Sequence, residues 1–155
     1  MKATKARDFM VSRLVTLPPE MDVFQGVDLL LKHRISGAPV IDREGRFLGA
    51  FSEKCSMHVL VDAVYDSLPT TTVGALMDTS APTIRPETGL LAVAQMFLLT
   101  SARRIPVVDQ DGKLLGQISR RDLLREGFRQ IAPQVKGPSP LYLSAVTEST
   151  DSPVG

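Results

Sequence analysis

The chain repeats itself. Slid along itself by 67 residues without a gap, it sets Met10 on Met77, Thr16 on Thr83, and Pro19 and Glu20 on Pro86 and Glu87. Pro39, Val40 and Asp42 meet Pro106, Val107 and Asp109, and Gly45, Leu48, Gly49 and Ser52 meet Gly112, Leu115, Gly116 and Ser119. One register held from Met10 to Ser119 marks a tandem duplication. At 155 residues the chain has room for one ordinary domain or for two small repeats sharing a core, and the duplication selects the second.

Both copies read alike. Val23, Phe24, Val27, Leu30 and Leu31 share a helical face, and Leu90, Leu91, Ala94, Phe97 and Leu98 copy it. Asp22 and Thr88 are expected as N-caps or first-turn residues, just after prolines that block an earlier start. APVID and IPVVD read as buried strands, DREG and DQDG as Asp-to-Gly turns, and RFLGAFS and KLLGQIS as the returning strands. Gly45 and Gly112 close the turns, while Gly49 and Gly116 allow a bulge or close packing. A closing helix follows at residues 52–68 and 119–132. Met57, Leu60, Val61 and Val64 form one stripe, matched by Leu124, Gly127, Phe128 and Ile131, and Cys55, Val59 and Ala63 add a second. One core needs one stripe, so the surplus predicts a further buried contact. The expected organisation is repeat one at 1–67, repeat two at 68–132 opening on a linker at 68–73, and a flexible Pro/Ser-rich tail at 133–155. The tail's LYLSAV is the one segment with the composition of an extra strand.

Composition narrows the function. Eighteen basic against seventeen acidic side chains leave +1, and aromatic residues make up 5% of the chain, so neither the field nor the stacking platforms of a nucleic-acid binder are present. VDLLL and MFLL fall far short of a bilayer span, and MKATKARDFM has no apolar run after its lysines, so a cytoplasmic protein away from membranes is expected. A single cysteine makes no internal disulfide, and His33 and His58 lack neighbours at metal spacing. No Walker loop, G-x-G-x-x-G, G-x-S-x-G or H-E-x-x-H occurs, so no catalytic residue and no required cofactor is assigned.

The passages ISGAPVIDREGRFLGAFS and ARRIPVVDQDGKLLGQISRRDLL, taken twice over in one register, resemble the cystathionine β-synthase (CBS) domain family across about residues 6–130. The resemblance implies an α+β fold: two tandem β-α-β-β-α repeats packed through their sheets with pseudo-two-fold symmetry. It implies clefts for AMP, ADP, ATP or a related adenosyl compound, dimerisation through the closing helices, and signalling to a partner instead of chemistry.

The family's nucleotide signature, Ser or Thr ending the last strand with Asp three residues on, is met by Ser119 and Asp122. A carboxylate accepts both ribose hydroxyls, and a helix start suits phosphate. Arg120 and Arg121 lie on that turn, and Arg103 and Arg104 lead into the strand holding Pro106. Guanidinium groups grip phosphate bidentately, so these four favour an anionic ligand. By the resemblance, Thr83, Ile84, Ile105 and Pro106 border the adenine pocket. The first copy departs: Ser52 is present, but Cys55 stands where Asp122 is matched, leaving Lys54 and Arg34 to meet phosphate without a ribose acceptor. Cys55 itself reads as a buried helical thiol. The expected function is a stand-alone regulatory module sensing an adenosine-containing ligand, as a homodimer acting on a partner that the chain does not encode. The alternative is a ligand-free structural or dimerisation module working through its closing helices.

Overall fold

A computed structural model describes residues 3–65 and 71–134. Residues 66–70, which take in the end of the expected first closing helix and half of the expected linker, and residues 135–155, which take in LYLSAV, lie outside the described residues. The elements are α1 (Ala6–Phe9), α2 (Val23–His33), β1 (Gly37–Ile41), β2 (Phe47–Ser52), α3 (Glu53–Tyr65), α4 (Val73–Leu76), α5 (Leu90–Leu99), β3 (Arg104–Val108), β4 (Leu114–Ser119) and α6 (Arg120–Ile131). A short 3₁₀ turn, Ala132–Gln134, follows. This is an α+β fold with two small antiparallel sheets, one for each repeat.

The hairpins are near-copies because their turn chemistry is the same. Asp42 Oδ1 accepts from Glu44 N and Arg46 N, and Asp109 Oδ1 accepts from Asp111 N and Lys113 N. Gly45 and Gly112 take φ of 83° and 82°, a region that costs other residues strain. Val40 faces Gly49 while Ile41 faces Phe47, which leaves Leu48 as a bulge, and Leu115 is its counterpart between Gly116 and Leu114. A Cβ on Gly49 would stand 2.8 Å from Asp78 O, and one on Gly116 would stand 2.8 Å from Val11 O. Both glycines therefore admit a neighbouring chain segment to the sheet edge.

Those neighbours come from the other half of the sequence. Val11 bridges Gln117 of β4, and Asp78 bridges Ala50 of β2, both antiparallel. Ala6 N donates to Thr88 O at 2.8 Å, and Val73 N donates to Met21 O at 2.9 Å. Ala6 is buried in the core with Val93, Ile105 and Ile118, and Val73 is buried in the core with Val23, Val40 and Phe51. Each core is thus completed by a short helix that precedes the other repeat. Leu17 and Ile84 stay home, each in a parallel bridge to its own Val40 or Val107, so the crossing falls in the residues between. The tips of the hairpins also meet: Phe47 N donates to Gly112 O and Leu114 N to Gly45 O, each at 2.9 Å. The pseudo-two-fold axis passes through that contact.

Helix faces differ from the stripes expected on two counts. In α2 and α5, Phe24, Leu31, Leu91 and Leu98 stand exposed, and Val93 is the sealed residue of α5. Its counterpart in α2 is Gly26, buried because Val73 and Phe51 close over it. In α3 the core stripe is Cys55, Ser56 and Val59, while Met57, Leu60, Val61 and Val64 remain outside. In α6 Leu123 is buried, and Leu124, Phe128 and Ile131 are exposed. Asp22 does cap α2, accepting from Phe24 N and Gln25 N. Thr88 does not cap α5; Gly89 holds that place, because Thr88 Oγ1 is taken by Arg85 N in the preceding turn.

Candidate functional site

Each repeat ends its hairpin at a helix start, and there the two copies differ chemically. Ser119 Oγ accepts from Asp122 N at 3.1 Å, and Asp122 Oδ2 accepts from Ser119 N at 2.9 Å, a reciprocal cap on α6. Asp122 Oδ1 lies 3.6 Å from Arg125. In the first copy Ser52 Oγ accepts from Cys55 N at 3.2 Å and donates toward Cys55 Sγ at 3.3 Å. Cys55 is only 8% exposed, a thiol turned into the core behind the strand end.

The repeats are stitched beside these helix starts. Arg104 lies opposite Gly37 across the pseudo-two-fold, and its guanidinium donates to Gly37 O at 2.8 Å and Ser36 Oγ at 2.9 Å. Burial draws Arg104 below its ordinary value, Arg103 adds to that, and Glu53 opposes it. The guanidinium stays charged throughout the physiological range, so the contact is charge-assisted. Arg120 Nε donates to Ala102 O at 3.1 Å, tying the start of α6 to the loop before β3.

Between the repeats lies a cleft of about 750 Å³. Small-molecule sites run to about 300–1,000 Å³. One wall comes from the first repeat: Ser36 to Pro39, Ala50, and Ser52, Glu53 and Lys54 at the start of α3. The other comes from Asp78, Ser80, Ala81 and Pro82, the loop from Leu99 to Arg104, Pro106 and Gln117. Asp78 sits at the crossing edge, where its carboxylate accepts from Ser80 Oγ at 2.6 Å and Ser80 N at 2.9 Å. Those bonds, with Lys54 nearby, hold it below the usual carboxylate range, so it is ionised at neutral pH.

Of the residues singled out from sequence, Arg103, Arg104 and Pro106 line this cleft. Ser119, Arg120, Arg121 and Asp122 cluster at the start of α6, the place that the 67-residue offset matches to Ser52 through Cys55, and do not line this cleft. Ile84 and Ile105 bury their side chains in the second core, and Thr83 is exposed beside Ile84. Sequence reasoning missed Asp78, Ser80 and Pro82. The signal was available: if Gly49 must admit a foreign backbone, the segment that arrives there lies at the mouth of a cleft. A second cavity, about 590 Å³, lies between α2 and α3 and is lined by Phe24, Leu31, Met57 and Leu60 among others. Among the described residues no His, Cys, Asp and Glu group has metal-site geometry, and no helix is long and apolar enough to cross a membrane.

A duplicated hairpin-and-helix unit, edge segments exchanged between halves and a cleft at the join define a tandem pair of CBS domains. The CBS domain model matches residues 6–54 and 73–129, and the chain belongs to that family. It is 32% identical over 149 residues to the chloroplastic CBS domain-containing protein CBSX1 of Arabidopsis thaliana, covering 79% of this chain and 63% of that one. The chain thus spans less than two thirds of the curated plant relatives it matches. Its fold superposes on CBSX2 in complex with AMP with a TM-score of 0.72, at 31% identity, covering 81% of this chain and 96% of that one. An inosine-5'-monophosphate dehydrogenase of Methanocaldococcus jannaschii is 26% identical over 86% of this chain, which spans only 26% of that enzyme.

Proposed function

We propose that the chain is a regulatory module that binds an adenosine-containing ligand in the clefts between its repeats and passes the bound state to a protein partner. The observation that carries this is the cleft of about 750 Å³ at the repeat junction, in a fold whose 31%-identical relative was solved with AMP. In this reading Ser119 and Asp122, at the start of α6 and outside the lining of that cleft, hold ribose. Arg103, Arg104, Arg120 and Arg121 meet phosphate, and Thr83, Ile84, Ile105 and Pro106 border the base, the two isoleucines through backbone because their side chains are spent in the core. Asp122 can serve because Oδ1 is committed only to an exposed arginine 3.6 Å away. The module assembles as a homodimer through α3 and α6, whose Leu60, Val61, Leu124 and Phe128 are all more than half exposed. Its compartment is the cytoplasm. Binding, not turnover, is its activity.

A thermal-shift screen with AMP, ADP, ATP and S-adenosylmethionine tests the reading. A ligand at about 100 times its Kd raises stability by about 2.7 kcal/mol. No shift with any of the four would leave the ligand-free structural module, which the capped Asp122 and the thiol at Cys55 favour.

A further inference from the structure

The second cavity, about 590 Å³, is built from the first repeat alone. Phe24, Val27 and Leu31 line it from α2, and Met57 and Leu60 line it from α3. Ser56 also lines it, buried, with its hydroxyl proton spent on Ser52 O at 3.0 Å, so it offers no unspent donor there. Val61, Leu124 and Phe128 of the proposed pairing face lie outside this lining.

Arg34 gives the cavity its charge. Expected from sequence to meet phosphate, it lines this apolar groove and not the cleft between the repeats. It ends α2 at φ 53° and ψ 46°, the one left-handed residue other than glycine among the described residues. Glycine is the usual residue at such a helix end, and strained backbone of this kind collects at binding sites. The exposed Arg34 guanidinium enters no hydrogen bond or ion pair among the described residues. Glu53, the carboxylate on the same lining, lies near enough to Arg104 to act on its charge and makes no ion pair with Arg34. The 67-residue offset sets Ser101 at the place of Arg34 and Leu123 at that of Ser56, so the second repeat keeps neither the cation nor the small lining residue.

An apolar trough with one unpaired cation at its edge matches an amphiphile with a single anionic end. We infer that the groove between α2 and α3 binds a free medium-chain monocarboxylate, its alkyl chain between the two helices and its carboxylate on Arg34. This site is separate from the cleft between the repeats and does not rest on the function proposed above.

Calorimetric titration of the full chain with hexanoate, octanoate and octanol, each below its aggregation concentration, tests this. Octanoate binds once per chain and about tenfold more tightly than hexanoate, since each methylene withdrawn from water contributes a factor of about three to four. Arg34→Gly, which relieves the left-handed backbone, weakens octanoate by about tenfold and leaves octanol unmoved. Ser56→Leu places in the groove the side chain that the second repeat carries and abolishes binding of both compounds. Leu31→Glu, on an exposed wall, removes octanoate binding if circular dichroism shows Ser56→Leu unfolded. Unchanged octanoate affinity in Arg34→Gly, or binding that the folded groove variants do not reduce, overturns the inference. So does an absence of octanoate binding to the wild type; a dimer that Leu31→Glu then splits in light scattering would assign the groove to a second copy of the chain.

Discussion

The packing around Gly26 permits a quantitative test of the exchanged cores. Gly26 of α2 lies under Val73 and Phe51, and a Cβ built on it would sit 2.7 Å from Val73 Cγ2 and 3.1 Å from Phe51 Cε2. At the equivalent place the second core holds Val93 under Ala6 and Ile118, all fully buried. One core combines a small helix residue with two large neighbours; the other combines a large one with smaller neighbours. Gly26→Val forces atoms far inside the optimum of about 3.5–4.0 Å. It should cost about 2 kcal/mol, the middle of the overpacking range, after a gain of a few tenths from helix propensity. Val73→Ala removes two buried methyl-sized groups at about 0.8 kcal/mol each plus a small cavity term, again about 2 kcal/mol. If the sites were independent, the double variant would lose about 4 kcal/mol. Because Val73 is the obstruction, we expect a loss of about 1–2 kcal/mol, and adding Phe51→Ile to rebuild the second core's triad should recover more. Urea denaturation followed by circular dichroism gives these values, provided the m-value stays constant. A double variant as unstable as the sum of its parts would mean that α4 does not seal the first core.

Arg104→Met should destabilise the folded chain by about 1.5–3 kcal/mol in the same assay, because it leaves Gly37 O and Ser36 Oγ without their charged donor. Asp122→Ala should lose about 1 kcal/mol as Ser119 N loses its acceptor, while Ser119 Oγ still caps the backbone N of residue 122. Asp122→Asn, which can still accept from Ser119 N, should keep the cap yet lose affinity for AMP by calorimetry; equal affinity in Asn and wild type would remove the carboxylate from the ribose site. Val61→Glu and Phe128→Glu should convert a dimer to a monomer in light scattering, and a folded variant that stays dimeric would place the interface elsewhere.

Much of the architecture was legible in the residues. The 67-residue offset carried the number of units, and the Asp-to-Gly turns with their alternating flanks carried both hairpins down to the two positive-φ glycines. These features act through a few neighbouring residues, so local chemistry decides them. The start of the second closing helix at Ser119 was legible for the same reason: the two hydrogen bonds that fix it close over three residues.

What escaped depends on tertiary contacts, within a repeat or between the halves. Cys55 read as a buried thiol, and periodicity could say that α3 has apolar residues to spare, but not that Val59 goes inward with it while Met57, Leu60 and Val61 stay out. That choice is set by where β1 and β2 stand. The mate of Arg104 was equally hidden, since Gly37 and Ser36 lie more than 60 residues away in sequence. The same holds for Asp78, an ordinary loop carboxylate by sequence. It becomes part of a cleft only because the segment from Val73 to Asp78 crosses to the first repeat, as the one from Ala6 to Val11 crosses to the second. Repeat, turn and cap belong to the sequence; which half completes which core, and therefore which charges face one ligand, belongs to the tertiary structure, because those contacts exist only once both halves have folded together.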